Sequence, residues 1–176
     1  GDVLRAMNRY GNYDSLRQLI SNMRRRIPGL ALRTTFMVGF PGETQAQFEE
    51  LCRFVKEMEF DKMGCFAYSP EEDTPAAELP EAEKTARADA LMDVQFDVTA
   101  AVNQRRVGET YTAVIDGPDS KENTYAGRCY FDSPEIDSNI WIHSAVPLET
   151  GSFVQVRVTG TEEYDLLGEY VDEPAQ

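Results

Sequence analysis

The segment Arg33–Glu43, which reads R-T-T-F-M-V-G-F-P-G-E, constrains the fold of this chain most strongly. Its apolar centre is too short for a helix and predicts a buried strand over Ala31–Val38. Gly39 and Gly42 then permit a tight turn, and Thr44 begins a capping-box spacing that predicts a helix start. A strand that turns over glycines into a helix is a common place for small-molecule binding in α/β proteins. A βα turn without a ligand fits the same pattern equally well.

The first half of the chain shows the periodicity of alternating helices and strands. Apolar residues recur at helical spacing over residues 16–27 and again over residues 48–58, and a second strand is predicted over Lys62–Tyr68. This order favours parallel βα units. Because two strands make too small a sheet, we expect further strands from sequence upstream of Gly1. An exposed edge would also allow dimerisation of this fragment.

The second half changes to a period of two. A long helix is predicted over Glu81–Arg106, with Gly108 as its stop signal. Apolar and polar residues then alternate, with turns predicted at 116–118 and 150–151. This pattern predicts a small antiparallel β barrel of about 65 residues. The expected fold class is therefore α/β plus all-β, with domains at residues 1–106 and 107–176.

Negative charge is concentrated in the predicted barrel. The whole chain carries a formal charge of −14, and residues 107–176 hold fourteen acidic and three basic side chains, a net charge of −11. Such a surface repels phosphate and attracts basic partners. Solubility alone would explain the same charge.

The cysteines and the single histidine do not form a metal-binding pattern. Cys52, Cys65 and Cys129 are widely spaced, and no CxxxCxxC occurs, so no iron–sulfur cluster is expected within this chain. We interpret the cysteines as small buried hydrophobes in a reducing compartment, the cytoplasm. His143 fits a strand or surface position better than a ligand. No apolar run is long enough to span a membrane.

Several segments, in order along the chain, resemble the C-terminal part of the radical S-adenosylmethionine methylthiotransferases, whose last domain is a TRAM β barrel. These segments are L-R-A-M-N-R at 4–9, I-P-G-L-A-L-R-T at 27–34, V-G-F-P-G-E-T at 38–44, F-x-Y-S-P-E-E at 66–72 and T-P-A at 74–76. The resemblance covers nearly the whole chain. It implies that residues 1–106 complete a partial (β/α) barrel and that residues 107–176 form the TRAM barrel.

Within this family, four features resemble the branch that modifies an aspartate of a small-subunit ribosomal protein. They are Glu71-Glu72, the segments 127–137 and 163–168, and the acidic barrel, which suits a basic protein better than RNA. Asp73 departs from the glycine common in the family at this position. Two alternatives stay open: the branch that modifies adenosine in tRNA, which would need a basic groove, and a non-enzymatic acidic interaction module.

The resemblance implies radical chemistry with S-adenosylmethionine and two 4Fe-4S clusters in a full-length protein. The cysteines that hold both clusters are absent from this sequence, so we expect the fragment to be inactive and to bind neither cluster nor S-adenosylmethionine alone. No catalytic residue and no metal ligand is expected within it.

The resemblance also implies roles for particular residues. Those expected at the S-adenosylmethionine site are Arg33, Thr35, Val38, Gly39, Phe40, Phe66 and Tyr68. Arg33 suits a carboxylate, although a structural ion pair would explain it equally well, and Phe66 fits a core position as well as a cofactor contact. Those expected to dock the basic ribosomal protein are Glu71, Glu72, Asp73, Arg128 and Tyr130. A solvated loop and an internal ion pair are the competing explanations for these residues.

Overall fold

The chain folds into two compact units, Gly1–Val98 and Thr99–Gln176. The structure is a computed structural model and describes residues 1–69 and 79–171. The first unit is α/β and the second is a closed β barrel, which confirms the expected fold class. The predicted domain boundary after Arg106 lies at the end of a long helix, whereas the compact units divide within that helix, between Val98 and Thr99.

The first unit contains a parallel pair of strands and the helices that precede and follow each strand. Along the chain the elements are α1 (Asp2–Ala6), α2 (Tyr13–Arg26), β1 (Arg33–Val38), α3 (Gln45–Met58), β2 (Lys62–Ala67) and α4 (Glu81–Arg106). In the register of the sheet Arg33 lies opposite Lys62 and Val38 opposite Ala67. Both strands therefore end at the same edge, where the loops after β1 and β2 begin.

Local sequence signals determine where the helices begin. Asn12 and Thr44 cap α2 and α3, and each forms a complete capping box with the residue three positions later. The capping box that the sequence predicts at Thr44 and Gln47 is thus confirmed. Glu59 ends α3 in the left-handed conformation, with φ of 44°.

The core of the first unit lies on one face of the sheet. Phe54, Met58 and Phe60 are buried there, and side chains of α2, of β1 and of the residue just before β1 pack against them: Tyr13, Leu16, Ile20, Leu32 and Phe36. The ring centroids of Phe36 and Phe60 are 5.8 Å apart in an edge-to-face arrangement. Because side chains alternate along a strand, this packing leaves Arg33, Thr35 and Met37 on the opposite face.

The second unit is a closed barrel of five strands in the order β3-β4-β5-β7-β6. The strands are β3 (Thr110–Pro118), β4 (Thr124–Cys129), β5 (Ile140–His143), β6 (Phe153–Glu162) and β7 (Asp165–Val171). The pair β5–β7 is parallel and the other pairs are antiparallel. Its fully buried interior includes Ile115, Ile140, Ile142, Val156 and Val158.

One predicted turn of the barrel is wrong. Asp116-Gly117-Pro118 does not end the strand but continues β3, with an irregular register between Ile115 and Gly117. A β-bulge accommodates these turn-forming residues without ending the pairing. The turn predicted at Thr150-Gly151 is present, and Gly151 has φ of 84°. Within residues 1–69 and 79–171, no helix combines the length and the apolar character needed to cross a membrane.

Candidate functional site

The face of the sheet opposite the core carries three of the predicted cofactor-binding residues. Arg33 and Thr35 are exposed on β1, and Phe66 is 64% exposed near the end of β2. Met37, which is 43% exposed, lies directly opposite Phe66 in the register. A guanidinium, a hydroxyl and two apolar side chains therefore share one face of the sheet. Met37 and Phe66 lie near the carboxyl ends of the strands, the usual place for ligands in α/β proteins, whereas Arg33 lies at the amino end of β1.

The other predicted residues form the frame of this edge. The Val38 side chain is fully buried, and its carbonyl accepts a hydrogen bond of 2.8 Å from the backbone N–H of Tyr68. The rings of Phe40 and Tyr68 meet edge to face at 5.2 Å, with Tyr68 buried. The backbone hydrogen bond between Tyr68 and Val38 and the ring contact between Phe40 and Tyr68 thus join the loops that follow β1 and β2.

A buried ion pair holds the turn after β1. The backbone N–H of Gly39, at φ of 74°, donates to Glu43 Oε1 at 3.1 Å. The same oxygen accepts a 2.6 Å bond from Arg87 Nη1 of α4, and both side chains are about 95% buried. Arg87 also donates to the Glu43 carbonyl at 3.2 Å and to Glu83 at 2.7 Å. A carboxylate thus bridges the turn and the helix.

Lys84 explains why residue 39 is glycine. Its side chain is 1% exposed, and its Nζ lies 2.7 Å from Glu81 Oε2. A Cβ atom on Gly39 would lie 2.5 Å from Lys84 Cγ, which no side-chain carbon tolerates. The Lys84 Nζ is also 6.0 Å from the centre of the Tyr68 ring. The first turns of α4 therefore pack directly on the glycine turn.

The three thiols differ in burial, because Cys52 and Cys65 are half-buried and only Cys129 is buried as predicted. Cys65 lies in β2, and burial, assisted by the charge of Glu43, raises its pKa to about 11. Burial also raises the pKa of Cys52, and Cys129 lies buried in the barrel. In the part of the chain that the structure describes, no cluster of His, Cys, Asp and Glu is suited to a metal ion. The donor set needed for an iron–sulfur cluster is therefore not assembled among those residues.

In the barrel, the two predicted docking residues have different environments. Arg128 forms a bidentate ion pair with Asp116. Arg128 Nε lies 2.8 Å from Asp116 Oδ2, and Arg128 Nη2 lies 2.8 Å from Asp116 Oδ1. That hydrogen-bonded pair raises the pKa of Arg128. Tyr130 is 65% exposed, and its ring lies 5.1 Å from the ring of Phe131. The Arg106 guanidinium lies over the Phe131 ring, with Arg106 Cζ 4.0 Å from the ring centroid.

A groove of about 530 Å³ lies elsewhere on the barrel surface. The acidic side chains along it are Asp119, Glu162 and Glu169, and the groove also contains Trp141 and His143. Backbone hydrogen bonds lower the pKa of Asp119, so this carboxylate remains charged. The Trp141 indole is fixed by a 2.7 Å hydrogen bond from Nε1 to Asp165.

The structure therefore brings Arg33, Thr35 and Phe66 to one face and gives Val38, Gly39, Phe40 and Tyr68 supporting positions beside it. Glu71, Glu72 and Asp73 lie outside the described residues.

The sequence analysis did not identify Met37, Lys84 and Arg87. Strand alternation from Arg33 would have identified Met37. No local pattern identifies Lys84 or Arg87, because their contacts with the turn span more than forty residues.

Comparison with known proteins gives concordant similarities for both units. A TRAM domain profile matches residues 107–171. Proteins described as ribosomal protein uS12 methylthiotransferase RimO are similar over almost the whole chain. The protein of Parabacteroides distasonis is 44% identical over 97% of this chain and 40% of its own length. The protein of Desulforudis audaxviator is 46% identical over 93% of this chain and 37% of its own length. The protein of Clostridioides difficile is 42% identical over 99% of this chain and 40% of its own length. The chain spans about two fifths of the length of these relatives.

Proposed function

We propose that this chain, which belongs to the RimO family of ribosomal protein uS12 methylthiotransferases, acts as part of a longer enzyme of that activity. The observation that carries the proposal is the identity of 42–46% with proteins described in this way, which extends through both the α/β unit and the barrel. In this proposal the substrate group is the β-carbon of an aspartate in the ribosomal protein, and the enzyme works in the cytoplasm.

The α/β unit supplies one side of the S-adenosylmethionine site in this proposal. Arg33 suits the carboxylate of the cofactor, Thr35 its hydroxyl groups, and Phe66 the face of its adenine. The exposure of these three residues on one surface supports the assignment, as does the suitability of a guanidinium for a carboxylate. Val38, Gly39 and Phe40 contribute backbone near the cofactor, and Tyr68 supports the turn.

The iron–sulfur clusters need ligands that the described residues do not assemble. We therefore assign both 4Fe-4S clusters to other parts of the full-length protein and expect this chain alone to be inactive. When bound there, the clusters and S-adenosylmethionine supply the one-electron and sulfur-transfer chemistry. The role of this chain is to bind the cofactor from one side and to orient the protein substrate.

The acidic barrel is the proposed docking surface for the basic ribosomal protein. Its net charge of −11 over residues 107–176 favours a cationic partner and opposes a nucleic acid backbone. The ion pair with Asp116 neutralises Arg128, so this arginine does not create a site for phosphate. The exposed ring of Tyr130 offers an anchor of the kind enriched at interfaces. The acidic residues Glu71, Glu72 and Asp73 belong to the proposal on sequence grounds alone.

A titration tests this docking. The chain is titrated with purified uS12 and, separately, with tRNA, each at two salt concentrations. We expect binding to uS12 only, weakened by about tenfold or more at the higher salt concentration because the attraction is electrostatic. The triple variant D119N/E162Q/E169Q removes three charges from the groove and is expected to bind several-fold more weakly. Tyr130→Ala tests the aromatic anchor.

A matched control removes the same charge outside the barrel. The variant D14N/E49Q/D93N alters three exposed acids of the α/β unit and is expected to bind uS12 like the unmodified chain. Equal weakening by both triple variants would mean that net charge alone attracts the partner. Preferential binding of tRNA would overturn the proposal and favour the tRNA-modifying branch of the family.

A further inference from the structure

The first unit buries three charged side chains at the turn after β1. Glu43 and Arg87 are 6% exposed, and Lys84 is 1% exposed. We call these three residues the α4 clamp. Burying charged groups is costly, and a buried pair commonly contributes less to stability than apolar residues of the same size would. The arrangement therefore calls for an explanation beyond stability.

The geometry of the clamp determines one backbone conformation. Glu43 Oε1 accepts hydrogen bonds both from the Gly39 N–H at 3.1 Å and from Arg87 Nη1 at 2.6 Å. Arg87 thereby fixes the carboxylate that fixes the Gly39 peptide. The Lys84 stem occupies the space beside Gly39, so the turn cannot move toward α4. The conformation at Gly39 sets the direction in which the chain leaves β1.

We infer that Lys84 and Arg87 are positioning residues that hold the turn after β1 in the conformation that binds the cofactor. Neither residue has the exposure needed to touch a ligand on the sheet face. Their effect passes through Glu43 and Gly39 to the backbone at the end of β1. This inference rests on the proposed function, since it takes S-adenosylmethionine as the ligand at this edge.

The main test is the conservative substitution Arg87→Lys in the full-length enzyme. Lysine keeps the charge but loses the guanidinium geometry that reaches Glu43 and Glu83 together. We expect the dissociation constant for S-adenosylmethionine, measured well below the melting temperature, to rise at least about tenfold. A change of this size corresponds to the loss of one charge-assisted hydrogen bond. The exposed Arg53→Lys on α3 is the matched control and should leave the affinity unchanged.

A melting curve separates positioning from stability. A lower melting temperature for Arg87→Lys with unchanged affinity for S-adenosylmethionine would overturn the inference, because the residue would then act on stability alone. Glu43→Gln retains an oxygen acceptor for both partners but removes the charge that compensates Arg87, so its affinity for S-adenosylmethionine should lie between those of the unmodified protein and Glu43→Ala. A Glu43→Gln affinity as poor as that of Glu43→Ala would contradict the inference, because the retained oxygen acceptor would then have no effect on the turn.

A second readout needs no cofactor. In this chain, amide hydrogen exchange at Gly39 should accelerate at least about tenfold in Arg87→Lys, because the acceptor of that amide loses its orientation. If the unmodified full-length protein binds no S-adenosylmethionine, the proposed function fails, and the Gly39 exchange rate alone decides whether the clamp exists. An unchanged exchange rate of the Gly39 amide in Arg87→Lys would overturn the inference that Arg87 positions this turn.

Discussion

Two glycines inside the barrel lie where its strands leave no room for a side chain. A Cβ atom on Gly127 would lie 2.8 Å from the Val114 carbonyl oxygen and 2.7 Å from Ile142 Cδ1. One on Gly168 would lie 2.4 Å from Val156 Cγ1. The Val114 backbone cannot move aside as a flexible side chain could, and the Val156 side chain is fully buried, so neither position has room for a larger residue.

Gly127→Ala is therefore expected to destabilise the barrel by about 1–3 kcal/mol, the usual cost of overpacking. The measurement is the free energy of unfolding in denaturant. Gly160→Ala is the control, because a Cβ there would make only ordinary contacts of 3.6 Å or more with Leu167. Equal stability of Gly127→Ala and the unmodified chain would show that the strands at Gly127 are further apart than described.

Cys65 gives a prediction about reactivity and pH. Its pKa of about 11 lies above the ordinary value of 9.0, so at pH 8 only about one thiol in a thousand is the reactive thiolate. Alkylation by iodoacetamide, followed by mass spectrometry of the peptide, should be slow at pH 8 and accelerate as the pH approaches 11. Rapid labelling of Cys65 at pH 8 in the folded chain would contradict this environment.

The same shift determines a pH dependence of stability. The folded state holds the Cys65 proton more tightly than the unfolded state, so the stabilisation is complete below about pH 9 and is lost as the pH rises toward 11. Replacing Cys65 by alanine should remove this part of the alkaline decline. An unchanged decline in Cys65→Ala would assign it to other groups.

At the residue scale, the sequence predicts conformation better than contact. The glycine turn at 39–42 and the alternation of Arg33 and Thr35 follow from local spacing. The partners of Glu43 do not, because Arg87 lies 44 positions away and nothing in its neighbourhood distinguishes it from a surface arginine. Long-range pairs of this kind depend on how helices pack, which periodicity alone does not determine.

At the scale of elements, the sequence predicts the helix boundaries more accurately than the strand boundaries. α3 begins where its capping box predicts, at Thr44, and α4 occupies the predicted range Glu81–Arg106. β1 begins at Arg33, two residues after the predicted start. Strand ends depend on the partner strand, so they are less visible in the sequence than helix caps.

Thr44→Ala should destabilise the first unit by about 1 kcal/mol, because it removes the side-chain acceptor for the Gln47 N–H. Thermal or denaturant unfolding followed by circular dichroism measures the change. Thr85→Ala, at an exposed position in α4, is the control, and the higher helix propensity of alanine should leave that variant equally or slightly more stable. A neutral Thr44→Ala would mean that packing alone fixes the start of α3.

The continuation of β3 through Asp116-Gly117-Pro118 marks the limit of turn propensity at this scale. These residue types most often form turns, but here pairing with β4 resumes beyond a register irregularity. The alternation pattern also does not predict that β5 pairs with β7 in parallel, in a barrel expected to be antiparallel. Alternation shows which side chains face inward and carries no information on strand direction.

For the whole molecule, the closed barrel has a consequence for folding. Every described strand of the second unit is paired on both sides, so this unit exposes no open sheet edge. We expect residues 99–176 expressed alone to fold cooperatively, with dispersed amide signals in NMR spectra and a single melting transition. Collapsed spectra without dispersion would show that the barrel depends on the α/β unit.

We propose that this chain serves an enzyme that methylthiolates ribosomal protein uS12. The most direct measurement supplies the full-length protein, with its clusters reconstituted and S-adenosylmethionine present, with purified uS12 and with tRNA in separate reactions. Mass spectrometry then identifies which substrate gains a methylthio group. We expect modification of an aspartate in uS12 and none of the tRNA. Modification of adenosine in the tRNA, with uS12 unchanged, would contradict it.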